Sequence, residues 1–412
     1  MRLIATLSQF LHDVRAQKLR TTLTLLGITW GTVAVVVLLA FGSGLERQNV
    51  KNMHGIGDGI VILFGGRTTL PFDGFPDGRG INLRLEDVAI LRQEISDIKQ
   101  ISPEYRTMGV PVRRGTAITT PGLTGIDPVY GDMRNIIPEP GGRFINDLDV
   151  AGRRRVVVLG DEIKQLLFGD DEAVGKTVFV GETPFTVVGI MQPKTQNSSY
   201  FTRDKDRVFM PSSTFRSVFG HKYLGNIIYR PTDATRSEAV RQQVYETLGR
   251  KYRFDPADRD ALGVWDTNEA DKFMGYFFLG FNLFMGIIGS FTMTVGGIGV
   301  ANIMYVVVRE RTREIGIKRS VGARRRDVLF QFFLESFLIV ASGALFGMMI
   351  SVGLIEMLAY LPDGAKEVVG QPTLSPTVLV TTMSLLAAIA FLAGFFPARR
   401  AARLDPVECL RS

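Results

Sequence analysis

Gly175-Lys176-Thr177 is the nearest approach to chemistry in this chain, because it matches the end of a phosphate-binding loop. Such a loop needs a glycine five positions before its second glycine, so that backbone N–H groups wrap the phosphates. Position 170 is Asp, and Gly169 stands one residue too far back. Asp170, Asp171 and Glu172 would also repel a nucleoside triphosphate. The segment reads instead as a turn before the strand Thr177–Val180. GGIGVA (296–301) fails as a dinucleotide fingerprint, because position 302 is Asn and the run is apolar on both sides. No HExxH, GxSxG or Cys/His ligand spacing occurs. One Cys excludes a disulfide framework and a thiolate cluster, and three His leave little for a multi-histidine metal site. No catalytic, cofactor-binding or metal-ligating residue is assigned, and the chain does not read as an enzyme.

What must position these residues is set by composition. Of 412 residues 46% are hydrophobic and 22% charged, with a net charge of +7. That excludes a disordered chain, and the length is ample for two or three domains. As an average, +7 fits a nucleic-acid binder, so the placement of charge decides. Thr21–Leu45 and Phe273–Val308 hold no charged residue or His. Val328–Tyr360 is broken only by Glu335 and Glu356, and Val368–Ala398, entered through QPTLSP, is the fourth such run. A helix rises ~1.5 Å per residue, so each run crosses the ~30 Å hydrocarbon core of a bilayer. One such run also suits a buried helix of a soluble protein; four predict four membrane spans.

Lys and Arg in the flanks mark the cytoplasmic side. Residues 1–20 hold Arg2, Arg15, Lys18 and Arg20; residues 309–327 read RERTREIGIKRSVGARRRD; residues 399–412 hold Arg399, Arg400, Arg403 and Arg411. The segment 361–367 has only Lys366. Both termini and 309–327 are therefore expected in the cytoplasm. These three segments carry more than the whole surplus, so the rest is slightly acidic and no nucleic-acid partner is expected. Thr21–Leu45 exceeds the ~7–15 residues of a signal-peptide core. It reads as a retained anchor, although Gly42-Ser43-Gly44 loosely mimics a cleavage site. Leu3, Leu7, Phe10, Leu11 and Val14 face away from Arg2, Asp13 and Arg15, which predicts an amphipathic helix in the headgroup layer. A simple extension of the first span fits the same residues.

Residues 46–272 form the one large water-exposed part. Strand-like runs (Ile60–Phe64, Arg155–Leu159, Thr177–Val180, Phe185–Ile190) alternate with helical stretches (Leu85–Ile98, Ser237–Tyr252). An α+β domain of one lobe or two follows. FGGRTTLPFDGFPDGRG (64–80) is expected to be a mobile loop.

Gly286, Gly289, Gly296, Gly297 and Gly299 cluster in the second span, and Gly343 and Gly347 stand at GxxxG spacing in the third. Small residues let helix backbones approach in lipid, so both predict packing seams; glycine is also simply frequent in membrane helices. In 309–327, positive-inside bias accounts for Arg and Lys. It does not account for Ile315, Gly316 and Ile317 between charges, nor for Gly322-Ala323 before Arg324. An apolar edge in a basic frame suits a short helix docked on a cytoplasmic partner.

VGGIGVANIMYVVVRERTREIGIKRSVGARRRDVLFQFFLES (295–336) resembles the second-to-third-span segment of MacB/FtsX-type ABC transporter permeases. GFFPARRAARLDPVECLR (394–411) resembles their closing motif, and KLRTTLTLLGITWGTVAVVV (18–37), more weakly, their opening. The resemblance spans the chain and is diffuse between 46 and 270. Lys318-Arg319-Ser320 stands where relatives usually show Arg-Lys and a small residue, a change that keeps charge and size.

The resemblance implies an α-helical membrane protein with four transmembrane helices and a large extracytoplasmic (periplasmic) α+β domain inserted between helices 1 and 2. The parts would be a cytoplasmic amphipathic helix 1–20, span 21–45, outer domain 46–272, stalk and span 273–308, and coupling loop 309–327. Span 328–360, outer loop 361–373, span 374–398 and cytoplasmic tail 399–412 would follow. It implies a bacterial inner-membrane location, a separately encoded ATPase in two copies, a second permease copy and often a periplasmic adaptor. ATP and Mg would sit on the ATPase, with no cofactor on this chain. Coupling would fall to Arg311, Arg313, Glu314, Ile315, Gly316, Ile317, Lys318, Gly322, Ala323 and Arg324. Helix packing would fall to Gly289, Gly296, Gly297, Gly299, Gly343 and Gly347. ATP-driven closure would be relayed along the stalk by mechanotransmission. Macrolide/peptide efflux, lipoprotein release of the Lol type and FtsX-type regulation of a cell-wall hydrolase all suit the family; the size of 46–272 argues against the last. From outside the family stands a membrane enzyme with its site in the outer domain. Glu356 lies near the outer end of its span and Glu335 about two turns in from the inner end. Packing against the coupling loop is one role open to Glu335.

Overall fold

The computed structural model describes residues 18–196, 198–358, 360 and 371–405. The amphipathic helix expected in 1–20 and the outer loop expected at 361–373 fall mostly outside them, as does the tail beyond 405. Two compact units are present, Met1–Asn49 with Gly275–Ser412, and Val50–Met274. Helix α1 (Lys18–His54) carries the first apolar run and continues well past Leu45.

Within Val50–Met274 the elements in chain order begin β1 (Val61–Gly65), α2 (Leu85–Glu94), β2 (Ile98–Thr107), β3 (Val112–Arg114), β4 (Ala117–Thr119) and β5 (Gly122–Ile126). Then come α3 (Val129–Met133), α4 (Asp147–Ala151), β6 (Val156–Leu159), α5 (Asp161–Phe168), β7 (Thr177–Val180) and β8 (Thr183–Ile190). Last are β9 (Arg207–Pro211), α6 (Ser212–Phe219), β10 (Asn226–Pro231), α7 (Ser237–Tyr252) and β11 (Leu262–Asp266). The strands form one sheet, ordered β11-β1-β10-β2-β5-β9-β6-β8-β7-β3-β4. Its first four strands are antiparallel neighbours, and with α2 and α7 they make a split β-α-β, ferredoxin-like frame. Everything from β3 to β9 is inserted between β2 and β10. The insertion joins through β5, antiparallel to β2 and parallel to β9, so its strands continue the frame's sheet.

Alternation along β1 sends Val61 and Leu63 to one face, into a core that runs along the sheet under the helices and takes in Leu91, Leu167, Phe215 and Leu248. Ile60 and Ile62 point to the other, with Ile56, Tyr130 and Met133. Helix α2 ends at Glu94, short of the expected Ile98, because Ile98 already pairs with Pro231. The loop 64–80 is not loose as expected. Thr68 and Arg79 bond through their backbones at 3.0 Å. Asp258 accepts from the Thr69 and Leu70 amides at 2.6 and 3.0 Å. Backbone groups that find partners in this way hold a turn-rich segment without regular structure.

The membrane unit contains most of α8 (Thr267–Glu310), from Gly275 on, with α9 (Thr312–Ser320), α10 (Arg325–Leu358) and α11 (Pro376–Arg403). With α1 they include four helices long and apolar enough to cross a membrane. Helix α8 has 44 residues, a length of ~66 Å at ~1.5 Å per residue. Ile28, Met293, Val340 and Ala390 meet in one buried cluster. An added Cβ at Gly296 would lie 3.0 Å from the Gly27 backbone, and at Gly347 2.6 Å from Thr32 Cβ. Gly343 similarly abuts Ile28, Gly289 abuts Val35 and Gly297 abuts Ile389, whereas Gly286 and Gly299 have nothing within 4 Å. At one end of the bundle the Thr373 amide donates to the Ala40 carbonyl at 3.2 Å and Ser43 Oγ to the Thr373 carbonyl at 3.1 Å. Gln371 approaches so closely that no side chain fits at Gly44.

Candidate functional site

The basic segment between the second and third spans is folded. Helix α9 starts after Arg311 and stops at a glycine turn: the Gly322 amide donates to the Arg319 carbonyl at 3.2 Å and the Ala323 amide to that of Lys318 at 3.0 Å. This is the Schellman ending, which needs a left-handed residue after the cap. Gly322 has φ +104°. The next helix begins at once, with Asp327 accepting from the Arg324 amide at 3.1 Å.

Three contacts fasten α9 to the bundle. Ile315 is buried in the cluster that holds Val328, Ala398 and Ala401, and Gly316 is buried beside it. Arg311 Nη1 lies 3.5 Å from Glu335 Oε1. The Arg319 guanidinium donates to the Leu404 carbonyl, reaching the end of α11. The expected coupling residues are thereby divided. Arg311, Ile315 and Gly316 face the bundle, and Glu314, Lys318 and Ala323 are half-buried. Arg313, Ile317, Gly322 and Arg324 are exposed. Val321, exposed by 84%, joins Ile317 one turn away as a second apolar side chain facing outward. Sequence reading left Val321 out, and its i,i+4 spacing from Ile317 was the available signal. The segments 295–336 and 394–405 also meet: an added Cβ at Gly394 would lie 2.9 Å from Ser336 Cβ.

Gly175-Lys176 forms the turn into β7. The Gly175 amide donates to the Val187 carbonyl at 2.8 Å and that of Lys176 to Ala173 at 3.1 Å, so neither is free to wrap a phosphate. Among the described residues no three His, Cys, Asp or Glu come together as metal ligands.

A buried ionic cluster in the inserted domain escaped the sequence reading. Asp204 pairs with Arg134 and Lys194, each at 2.7 Å, and Glu104 with Arg207 at 3.1 Å. Tyr200 and Asn226 donate to Glu104 at 2.5 and 2.6 Å. Burial alone would raise the Asp204 carboxyl, yet Arg134, Lys194 and Arg207 hold it well below the usual carboxylate range. Burial foremost pushes the Tyr200 hydroxyl up to about 12, with Arg134 opposing and Glu104 reinforcing the rise. These residues come from distant parts of the chain, and no local pattern announces them.

Residues 21–246 match the family model for the MacB-like periplasmic core domain, and residues 286–406 that for the FtsX-like permease C-terminal. The chain is 29% identical, over 99% of its length, to the Macrolide export ATP-binding/permease protein MacB of Bdellovibrio bacteriovorus, of which it covers 62%. It is 33% identical, over 96% of its length, to the Pyoverdine export ATP-binding/permease protein PvdT of Pseudomonas syringae, of which it covers 57%. The chain thus spans about three fifths of the length of the curated relatives it matches. The periplasmic region of MacB from Actinobacillus actinomycetemcomitans aligns with 55% of this chain and 97% of its own, at 22% identity and a TM-score of 0.44. Both family matches are to permease domains, and they follow one another along the chain, the first over the first span and most of the sheet domain, the second over the spans that follow it. The chain belongs to the MacB/FtsX-type family of ABC transporter permeases.

Proposed function

We propose that this permease couples ATP hydrolysis on a separate ATPase subunit to movement of its extracytoplasmic domain, exporting a macrolide- or peptide-type substrate by mechanotransmission. Helix α9 is the dock. The observation that carries this is its two-sidedness: Ile315 and Arg311 anchor it inward, while Ile317, Val321 and Arg313 face away from the bundle. Two apolar side chains in a basic rim suit a protein partner better than bulk water. Positive-inside bias supports a cytoplasmic setting for α9 and both termini in a bacterial inner-membrane protein. ATP and Mg bind on the partner, and a second permease copy and a periplasmic adaptor complete the assembly. Relatives named for macrolide export and for pyoverdine export support an export reading.

The test is the pair Gly322→Ala and Arg313→Ala. Gly322 has open space around it but a φ that alanine rarely adopts, and Arg313 is exposed. Both variants should insert normally yet lower permease-stimulated ATPase activity by about fivefold or more, the effect of losing ~1 kcal/mol of interface. Unchanged stimulation overturns the dock.

A further inference from the structure

Five side chains between α9 and the inner end of α10 close into a ring. Arg311 Nη1 lies 3.5 Å from Glu335 Oε1, and Gln331 Nε2 donates to the same oxygen at 3.1 Å. Lys318 Nζ donates to Gln331 Oε1 at 3.5 Å and pairs with Glu314 at 2.7 Å. Glu314 in turn lies 4.0 Å from Arg311 Nε. Two cations, two carboxylates and an amide leave the ring neutral. Glu314 and Lys318 lie one turn apart on α9, with Arg311 as its cap; Gln331 and Glu335 lie one turn apart on α10.

Glu335 is the most enclosed member, 4% exposed, whereas the side chains of Glu314 and Lys318 are each 41% exposed. A carboxylate at that depth is a costly way to hold two helices together, since apolar packing does so without the desolvation. What charge adds is direction: α9 cannot turn or slide without drawing Arg311 and Lys318 off their partners on α10.

We propose that Glu335 is a positioning residue for energy coupling, fixing α9 against the third span so that a displacement of α9 moves α10 with it. This rests on the reading of α9 as the ATPase dock. Glu335 is buried while Arg313 and Ile317 are exposed, so its loss should spare ATPase binding and act on transmission.

The experiment uses the full chain in nanodiscs with its ATPase and compares wild type, Glu335→Gln and Glu335→Asp. Glutamine keeps the size and a bond to Gln331 but loses the charge; aspartate keeps the charge. The readouts are ATPase retention on co-purification and the ATP-dependent change in hydrogen exchange at α9 and along α10. Glu335→Gln should retain the ATPase and the change at α9, but lose at least ~3-fold of the change along α10. Glu335→Asp should recover most of it. An undiminished change along α10 in Glu335→Gln overturns the proposal, and so does loss of ATPase binding. If ATP produces no change at α9 in the wild type, the dock itself fails, and the inference with it.

Discussion

Adding one methyl group distinguishes glycines that look alike in sequence. At Gly347 a Cβ would lie 2.6 Å from Thr32 Cβ and 2.9 Å from the Thr29 carbonyl, so the first and third spans must separate to admit alanine. Overpacking of that kind costs about 1–3 kcal/mol. At Gly299 nothing lies within 4 Å, and alanine is favoured in a helix interior by about 1 kcal/mol. Gly347→Ala should therefore lower the detergent-solubilised Tm, while Gly299→Ala should leave it level or raise it. Equal losses in the two variants would contradict the packing described. Spacing told where small residues gather, but not which neighbour each faces, because that depends on the rotation of a helix about its axis. Gly286 and Gly299 shared the cluster without sharing the seam.

Among elements, legibility followed the range of the interaction. Four spans and the helix Ser237–Tyr252 were plain from local hydrophobic pattern, and so was the turn at Gly175. The joining of frame and insertion was not, since it depends on groups far apart in the chain: Glu104 near the end of β2, Arg207 at the start of β9, Asn226 at the start of β10 and Asp204 before β9. Val321 was missed on another ground: it caps α9, and its one i,i+4 spacing from Ile317 is too short a run to stand out as a period. The cluster makes a pH prediction. The depressed Asp204 value means that its stabilising contribution is complete above the unfolded pKa of ~3.9 and is lost as pH falls through the lower folded value. Thermal unfolding of the inserted domain, followed by Trp265 fluorescence, should shift down in temperature as pH drops below about 4. Asp204→Asn should destabilise by about 3 kcal/mol at neutral pH, leaving Arg134 and Lys194 without their carboxylate, and should flatten that acid limb. An acid limb of wild-type steepness in the variant would assign acid sensitivity elsewhere.

At the scale of the whole molecule, α1 and α8 each belong in part to both compact units. The proposed relay asks those helices to transmit force along their length. Gly275 is a suitable place to interrupt one, since nothing crowds an added side chain there. Proline in a helix interior removes a hydrogen bond and costs about 3 kcal/mol. Gly275→Pro should keep ATPase docking and basal hydrolysis yet abolish export, measured as efflux of the substrate from loaded cells. Full export by that variant would argue against transmission through α8. A different consequence follows from the fourth span, which is held by Ala40 and Ser43 at its entry, by Ser336 along its length and by Arg319 at its end. Those contacts begin at Gln371 and Thr373, just ahead of the helix, so its seat does not depend on the length of the connection before Gln371. Lineages are free to lengthen, shorten or decorate that connection, and variety among relatives should collect there and thin out across the helices it joins.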